Sequence, residues 1–259
     1  MKAILNDVTR CTGCERCIQA CIEYNDLQED LPAVRAGRDR LSGRRLASIM
    51  SIPGGAYARK SCLHCLKPAC VEACLVGALT KTPQGPVVYD AEKCIGCRYC
   101  MLACPFSIPR YEWDKTLPFI SKCTMCAQRL EAGQAPACVE ACPHEAIMFG
   151  ERDELMAEAH RRIESRSDLY LPHVYGEREV GGTCVLYVSH VPLEVLGWPE
   201  RVGTKPIPAY TWPVISLTPG IAITVASVLT GVSWIVQRRM KIAAERAAQA
   251  SEEMPQHQE

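Results

Sequence analysis

The chain has 259 residues, enough for one large domain or two small ones, and its 29 basic and 29 acidic side chains balance. This neutrality argues against a nucleic-acid-binding protein, which carries a basic surface. Only 6% of the residues are aromatic, few for an ordinary hydrophobic core, whereas 17 are cysteines. A thin core with many cysteines indicates that disulfides or metal ions hold the fold together.

The first predicted element is a strand over residues 3–8, followed at once by four cysteines. They are spaced C-x2-C-x2-C-x3-C and are Cys11, Cys14, Cys17 and Cys21. The residues before them include no apolar segment, so we expect no signal peptide. Two-residue spacings allow one loop to wrap three thiolates around a face of an iron–sulfur cubane, and we expect the fourth cysteine at the start of a helix that points away.

A basic segment lies between the first and second cysteine groups and includes a predicted strand over residues 45–52. Its cations are Arg35, Arg38, Arg40, Arg44, Arg45, Arg59 and Lys60. A run of this kind usually forms a solvated face. Each [4Fe–4S] cluster with four thiolates carries about −2 when oxidised, so the alternative is that these cations offset cluster charge or guide a partner subunit.

The second and third groups flank a predicted hairpin. They are Cys62, Cys65, Cys70 and Cys74, and then Cys94, Cys97, Cys100 and Cys104. Strands over residues 78–81 and 87–89 are joined by a turn at 82–86 that contains proline and glycine. His64 lies inside the second group, and we interpret it as a packing residue or hydrogen-bond donor beside a cluster, not as a ligand.

The fourth group precedes a predicted strand over residues 145–149. Its members are Cys123, Cys126, Cys138 and Cys142. Pro105 and Pro143 follow the third and fourth groups, as in bacterial ferredoxins, whereas the first two groups lack this proline. A two-cluster ferredoxin has the order strand, group, hairpin, group, strand, and groups two and three follow that order contiguously.

These elements predict an α+β fold of two nested bacterial-ferredoxin-like modules within residues 1–150. An inner module of about residues 44–113 carries groups two and three and is inserted between the halves of an outer module with groups one and four. In two-cluster ferredoxins the fourth cysteine of each group binds the other group's cluster. Four [4Fe–4S] clusters are therefore predicted, ligated by Cys11, Cys14 and Cys17 with Cys142; Cys123, Cys126 and Cys138 with Cys21; Cys62, Cys65 and Cys70 with Cys104; and Cys94, Cys97 and Cys100 with Cys74.

Two other interpretations of the cysteines are weaker. Structural zinc needs only two C-x2-C pairs per ion, which leaves the third and fourth cysteines of each group surplus. A disulfide framework would show irregular spacings in a short secreted chain. Cys184 stands outside the groups, in a predicted strand opened by Gly181 and Gly182, and we interpret it as a small apolar residue.

Residues 151–212 are predicted to form a helix over 152–167, with an apolar stripe, and then an extended belt. Residues 213–237 carry no charge and outnumber the roughly 20 residues that a helix needs to cross a bilayer, so they predict a single transmembrane helix. On it Gly220, Thr224, Ser227 and Gly231 share one face, and such small residues let helices approach closely.

The charged tail, residues 238–259, suggests an orientation for that span. It begins with Arg238, Arg239 and Lys241, whereas Arg201 and Lys205 are the cations that precede the span. Lysine and arginine near the ends of a span favour the cytoplasm. We therefore expect a single-pass protein of the cell inner membrane, with a cytoplasmic C-terminus and a periplasmic cluster domain.

The chain resembles the four-cluster beta subunits of the molybdopterin-oxidoreductase family. The resemblance rests on the four cysteine groups, on Cys-Leu-His-Cys at 62–65, on Gly-Gly-Thr-Cys-Val-Leu-Tyr-Val at 181–188 and on the C-terminal span. It covers nearly the whole chain to about residue 240 and is strongest to the membrane-anchored subunits of uptake hydrogenase and formate dehydrogenase. Residues 191–197 favour the hydrogenase-associated branch, although those relatives commonly carry a twin-arginine leader and this sequence shows none.

The resemblance implies a non-catalytic electron wire. Its clusters, in single file, would carry electrons from a hydrogenase or molybdopterin enzyme to a multi-span cytochrome or other quinone-reactive subunit in the membrane. The sequence shows no nucleophile–base arrangement, phosphate loop or nucleotide fingerprint. The alternatives are the same wire serving a cytoplasmic reductase of sulfur or nitrogen oxides, an enzyme with an open iron site, against which four thiolates per site argue, and a zinc protein.

Overall fold

The computed structural model describes residues 1–27, 40–52, 55–113, 115–116, 118–196, 199 and 202–252. Arg35, Arg38 and Arg201, which entered the expectations above, lie outside these residues, as do residues 253–259 of the tail. The chain divides into two units, Met1–Tyr210 and Thr211–Glu259.

Short strands and helices alternate along the first unit. The described strands are β1 Lys2–Asp7, β2 Ala47–Ile52, β3 Ala56–Ser61, β4 Leu79–Lys81, β5 Val87–Tyr89, β6 Arg110–Tyr111, β7 Ile120–Ser121, β8 Ile147–Glu151 and β9 Val185–Val188. The described helices are α1 Arg16–Tyr24, α2 Ala69–Glu72, α3 Tyr99–Ala103, α4 Ala127–Glu131, α5 Ala137–Glu140, α6 Arg152–Ser165, α7 Pro208–Ile215 and α8 Thr218–Glu252. The predicted strands match β1, β2, β4, β5 and β8 to within two residues at each end.

β1 is the centre of a three-stranded sheet in the order β8-β1-β9. It runs antiparallel to β8, with Lys2 opposite Glu151, and parallel to β9, with Ile4 opposite Val185. Ala3, Ile4 and Leu5 are buried, as expected of a central strand that is covered on both faces. The sheet thus joins the two ends of the cluster domain, and the segment expected as an extended belt supplies its third strand.

Three hairpins lie between β1 and β8 in the chain: β2–β3, β4–β5 and β6–β7. The β4–β5 turn is closed by a 2.8 Å hydrogen bond from the N–H of Thr82 to the carbonyl of Pro86. Its tip packs against β1, because the N–H of Lys2 donates to the carbonyl of Gln84 at 2.8 Å. Gly85 is required there, since its φ is 125° and a Cβ would lie 2.5 Å from the carbonyl oxygen of Lys2.

Apolar side chains of the first unit form two cores. The larger surrounds β1 and includes Ile18, Leu63 and Phe106. The smaller surrounds the β4–β5 hairpin and consists of Leu79, Val87 and Ile120 with Cys70 and Cys100. Cysteines belong to both cores. Sites built from cysteines therefore occupy space that aromatic side chains fill in an ordinary core.

α6 packs on the central sheet, as its apolar stripe predicts. Leu155 and Ala159 are buried, and α6 contacts β1, β8 and β9. Near the C-terminal end of α6, Arg162 Nη1 donates to Asp7 Oδ2 at 2.7 Å. The hydroxyl of Tyr170 donates to the same carboxylate oxygen at 2.8 Å. A buried ion pair therefore ties the end of β1 to the segments that follow the cluster domain.

Among the described residues one helical stretch, Pro208–Gln249, is long and apolar enough to cross a membrane, and nearly all of it belongs to the second unit. Its position differs from the predicted 213–237: α7 ends at Ile215, and α8 continues to Glu252. Pro219 accounts for the interruption, because it has no N–H to donate to the carbonyl of Ile215. The tail is rich in alanine, glutamate, lysine and arginine, which favour helix, so it prolongs α8.

Candidate iron–sulfur centre

The first and third cysteine groups share one loop conformation. In each, the residues that flank the second cysteine have positive φ: 74° at Gly13 and 57° at Glu15, then 69° at Gly96 and 64° at Arg98. A left-handed backbone costs a non-glycine residue roughly 1–2 kcal/mol. Such strain is typical of functional loops whose surroundings enforce it. The same spacing has therefore produced the same backbone twice.

Backbone N–H groups in these loops point at sulfur. Gly96 donates to Cys94 Sγ at 3.4 Å, and Met125 to Cys123 Sγ at 3.3 Å. Just after the second group, Ala78 donates to Cys74 Sγ at 3.2 Å. Hydrogen bonds of this kind favour the charged thiolate over the thiol, which is the form that binds metal.

Each group presents its third cysteine from the beginning of a helix. The second residues of α1, α2, α3 and α5 are Cys17, Cys70, Cys100 and Cys138. We expected the fourth cysteine, not the third, at the start of a helix, and this was wrong. α1 begins at Arg16, so Cys21 lies one turn further on, and Cys104 lies at the end of α3. The third and fourth cysteines of groups one and three are thus separated by about one helical turn.

Four cysteines from the two ends of the cluster domain line one cavity, with about 440 Å³ of space that is partly open to solvent. They are Cys11, Cys14, Cys17 and Cys142, called here the Cys11 set. Burial raises the pKa of Cys11, which the neighbouring Cys142 thiolate raises further. Burial also raises the pKa of Cys17 to about 12, although the Arg59 guanidinium opposes the shift. The loop of group one and the last cysteine of group four are therefore neighbours.

The second set of neighbouring thiols, the Cys123 set, contains Cys123, Cys126, Cys138 and Cys21. Burial raises the pKa of Cys21, and among the nearby thiolates that of Cys123 contributes most. Burial raises the pKa of Cys126 to about 11, with Cys123 and Cys138 adding to the shift. The thiol of Cys21, from group one, thus lies beside the thiols of group four.

The third set, the Cys62 set, contains Cys62, Cys65, Cys70 and Cys104. Burial raises the pKa of Cys65 well above its ordinary value, and the thiolates of Cys62, Cys104 and Cys70 raise it further. Burial raises the pKa of Cys104, although the N–H groups of residues 106–108 oppose this shift. These four sulfurs lie within the protein, where group two meets the last cysteine of group three.

The fourth set, the Cys94 set, contains Cys94, Cys97, Cys100 and Cys74, which line a second cavity with about 320 Å³ of space that is partly open to solvent. Burial raises the pKa of Cys100 to about 11, and the Cys74 thiolate is the next largest cause. Cys97 in this set and Cys14 in the Cys11 set are exposed, whereas their counterparts Cys65 and Cys126 are half-buried and buried, respectively. Two sets therefore lie near the surface and two lie deeper.

Thiols of different sets are also neighbours. Burial is the main cause of the raised pKa of Cys70, Cys62 and Cys17. A thiolate of a neighbouring set raises each of these pKa values further: Cys100 acts on Cys70, Cys123 on Cys62, and Cys138 on Cys17. The sets consequently follow one another in the order Cys94, Cys62, Cys123, Cys11, with the two exposed sets at the ends.

The donor chemistry of each set fits an iron–sulfur cluster. Within the described residues, no three cysteine, histidine or carboxylate side chains converge closely enough for a single metal ion. A cubane has four iron atoms and takes one thiolate at each, so it suits four sulfurs spaced around a wider cavity. Because buried thiols resist ionisation, metal binding must displace their protons.

Three of the five described cations of the basic segment are buried, contrary to the solvated face that such a run usually forms. Arg45, Arg59 and Lys60 are 5%, 3% and 2% exposed. Sequence reasoning missed a further buried cation, Lys122, whose Nζ donates to the carbonyls of Val87 and Cys123. Its position in the sequence could have indicated Lys122, because Lys60 and Lys122 each lie within two residues before the first cysteine of a group.

Cys184 lies apart from the four sets. It precedes β9, is fully buried, and its Sγ accepts a hydrogen bond from Lys81 Nζ at 3.3 Å. It lines neither of the two cavities described above. His64 is also buried, between Cys62 and Cys65, and has a positive φ of 48°.

Comparison with known proteins agrees with this chemistry. Residues 55–152 match the family model of the 4Fe-4S dicluster domain. The chain is 42% identical to a protein of Nitratidesulfovibrio vulgaris over 258 residues, which cover 95% of this chain and 70% of the relative. It is 37% identical to the hydrogenase-2 operon protein HybA of Escherichia coli O157:H7 over 237 residues, covering 76% of this chain and 72% of the relative.

A third relative is the iron–sulfur subunit of the nitrate-inducible formate dehydrogenase of Escherichia coli K12. It is 36% identical over 201 residues, which cover 73% of this chain and 68% of the relative. These extents exceed what a shared cluster-binding loop alone would produce. The chain therefore belongs to the family of 4Fe-4S iron–sulfur electron-transfer subunits that includes these hydrogenase-associated and formate dehydrogenase proteins.

Proposed function

We propose that this protein is a non-catalytic relay that carries electrons through four [4Fe–4S] clusters between a catalytic subunit and a quinone-reactive membrane subunit. One observation carries the proposal: the sixteen grouped cysteines form four sets of neighbours. These sets join group one with group four and group two with group three, as nested ferredoxin modules require. The named relatives support a hydrogenase or a molybdopterin oxidoreductase as the catalytic partner.

The residues of the chain hold the clusters and shield them. When bound, a [4Fe–4S] cluster supplies a carrier that takes up and releases one electron. Thiolates of each set ligate it, and backbone N–H groups such as those of Gly96 and Met125 donate to the ligating sulfurs. Burial of the Cys62 and Cys123 sets keeps water from the middle of the wire. The row of sets supports single-file transfer between two exposed ends.

The end of the row at the Cys94 set is surrounded by exposed apolar side chains. They include Leu75, Ile95, Tyr99, Leu102 and Trp113. Apolar patches on a protein surface mark interaction sites. We propose that one redox partner docks over this patch, where it would exclude water from the nearby Cys97, and that the other partner docks at the Cys11 set.

Membrane attachment follows from α8. Its uncharged stretch, residues 218–237, matches the roughly 20 residues that a helix needs to cross a bilayer core. The proposed orientation places the cluster domain in the periplasm and the C-terminus in the cytoplasm, because the cations Arg238, Arg239 and Lys241 follow the span. A cluster domain folded in the reducing cytoplasm, and exported together with a leader-bearing catalytic subunit, would avoid disulfide formation.

Metal analysis of the anaerobically purified complex tests the cluster count. We expect about 16 iron and about 16 acid-labile sulfide per chain, in four cubanes. EPR of the reduced complex should show interacting [4Fe–4S] signals. Iron sufficient for only two clusters would contradict the proposal, and a high-spin signal from a three-iron centre would show that one site lacks a ligand.

A further inference from the structure

Arg59 occupies an unusual position in β3. Its side chain is 3% exposed and lines the same cavity as the sulfurs of the Cys11 set. Nη1 donates to Ser61 Oγ at 2.6 Å. The carbonyl of Arg59 accepts a 2.8 Å hydrogen bond from the hydroxyl of the buried Tyr187. Ser61 of β3 therefore holds the guanidinium, and Tyr187 of β9 holds the backbone of Arg59.

This guanidinium has no protein counter-charge in the part of the chain that the structure describes. No described carboxylate lies within ion-pair distance of it, and its Nε has no hydrogen-bond partner among the described residues. An unpaired buried charge is strongly unfavourable, so buried charges are found paired or beside metal sites. The position of Arg59 thus calls for a negative group in the adjoining cavity.

The cysteine sets supply that negative charge from two sides. Burial alone would lower the pKa of Arg59, but the thiolates of Cys138, Cys123 and Cys17 outweigh burial and raise it. Cys17 belongs to the Cys11 set, and the other two belong to the Cys123 set. Arg59 therefore lies between the two sets of the outer module.

Resting on the proposed four clusters, we infer that Arg59 is the shared counter-ion of the two outer-module clusters and raises their reduction potentials. Reduction adds one negative charge to a cluster. A fixed cation nearby stabilises the reduced form more than the oxidised form, and weak screening in the interior enlarges the difference. Arg59 would thereby make the outer half of the wire easier to reduce, without ligating iron.

Lys122 provides an internal comparison in the other module. It is 4% exposed, and its ammonium opposes the raised pKa that burial causes at Cys62 and at Cys70. Both cysteines belong to the Cys62 set, and the same ammonium donates to the carbonyls of Val87 in the inner module and of Cys123 in the outer module. Removing this charge should therefore affect the inner-module cluster of the Cys62 set, whereas removing Arg59 should affect only the outer-module clusters.

Redox titration of the purified complex, followed by EPR, tests the inference. In Arg59→Gln, two of the four cluster transitions should move to lower potential while the other two stay in place. Lys122→Gln should instead lower a transition that Arg59→Gln leaves unchanged. Arg129→Gln is the matched control and should move none, because Arg129 is already paired with Glu140.

Iron content separates the possible failures. Equal shifts of all four transitions, or no shift in a fully loaded Arg59→Gln complex, would overturn the inference but leave the proposed function intact. If Arg59→Gln fails to load the outer clusters, Arg59→Lys decides. Cluster loading restored by lysine would support a requirement for positive charge, whereas continued loss would overturn the inference, because a cation at this position would not be sufficient. A wild-type complex without the outer clusters would overturn both proposals.

Discussion

The backbone N–H of Val87 donates a 2.8 Å hydrogen bond to Nδ1 of His64. This bond connects the loop of group two to β5, on the far side of the hairpin. Because Nδ1 accepts, a neutral imidazole carries its proton on Nε2, which is buried without a hydrogen-bond partner among the described residues. Burial lowers the pKa of His64 well below its ordinary value, so the ring is neutral.

Replacing His64 with alanine should destabilise the protein without removing a cluster. The N–H of Val87 would be left buried and unsatisfied, which costs roughly 1–3 kcal/mol. Denaturant unfolding, followed by loss of cluster absorbance, measures the effect. His160→Ala is the control, because that ring is largely exposed and should change stability little. Loss of one cluster's iron in His64→Ala would show that the histidine is a ligand.

Cys184 should be dispensable for the clusters, because the four sets are complete without it. In Cys184→Ser the iron content should stay unchanged, whereas Cys97→Ser should lose or convert one cluster. Iron and sulfide analysis of the two variants, purified side by side, distinguishes them. Equal iron loss in both would mean that the cysteines are grouped wrongly.

The buried pair of Asp7 and Arg162 should contribute strongly to stability. Their side chains are 1% and 11% exposed. Asp7→Ala would remove the acceptor of Arg162 Nη1 and of the Tyr170 hydroxyl, although Glu158 stays paired with Arg162 Nε. Breaking a buried ion pair costs roughly 3–5 kcal/mol, and because Glu158 remains we expect a loss near the lower end of that range. The neighbouring Arg161, 68% exposed and paired with Glu158, is the control, and Arg161→Ala should cost less than about 1 kcal/mol. Similar unfolding midpoints for the two variants would contradict this ranking.

Stability should depend on pH through His173 and Glu179, whose side chains lie 2.8 Å apart. The Glu179 carboxylate raises the pKa of His173 above 6.5, so this contribution is complete below pH 6.5 and disappears as pH rises through the raised value. Although burial alone would raise the pKa of Glu179, hydrogen bonds lower it below 4.5, so its contribution disappears only as pH falls through the lowered value.

The unfolding midpoint measured against pH, in wild type and His173→Gln, tests that coupling. The unfolding midpoint of wild type should exceed that of His173→Gln most between pH 4.5 and pH 6.5, the ordinary pKa values of glutamate and histidine. This difference should shrink as the pH rises above 6.5. An advantage that stays constant up to pH 9, well past an ordinary histidine pKa of about 6.5, would show that the pair is not coupled.

Protease treatment of intact spheroplasts tests the proposed orientation. The cluster domain should be cut from outside, while the tail after Arg238 should stay protected in the cytoplasm. Treating lysed spheroplasts in parallel shows that both regions can be cleaved. A protected cluster domain with a cut tail would reverse the orientation and favour a reductase partner on the cytoplasmic side.

Much of the candidate site could be predicted from local sequence. Two residues between cysteines impose a loop, and that constraint acts within a few residues, so Gly13 and Gly96 adopt the same conformation around Cys14 and Cys97. The strands next to the groups were also predicted, because turns such as 82–86 are encoded where they form. The apolar length of the C-terminal helix likewise required no knowledge of the fold.

The tertiary structure decided the features that depend on contacts between distant segments. β9 pairs with β1 across more than 180 residues of chain, and no local pattern specifies that partner. The burial of Arg59 depends on the cavity that group one and Cys142 line, and on Tyr187 from β9. Spacing in the sequence determined which three cysteines of each group lie close together, since such loops are local. The packing of remote segments brings a fourth cysteine from another group to each set and determines which charges lie beside it.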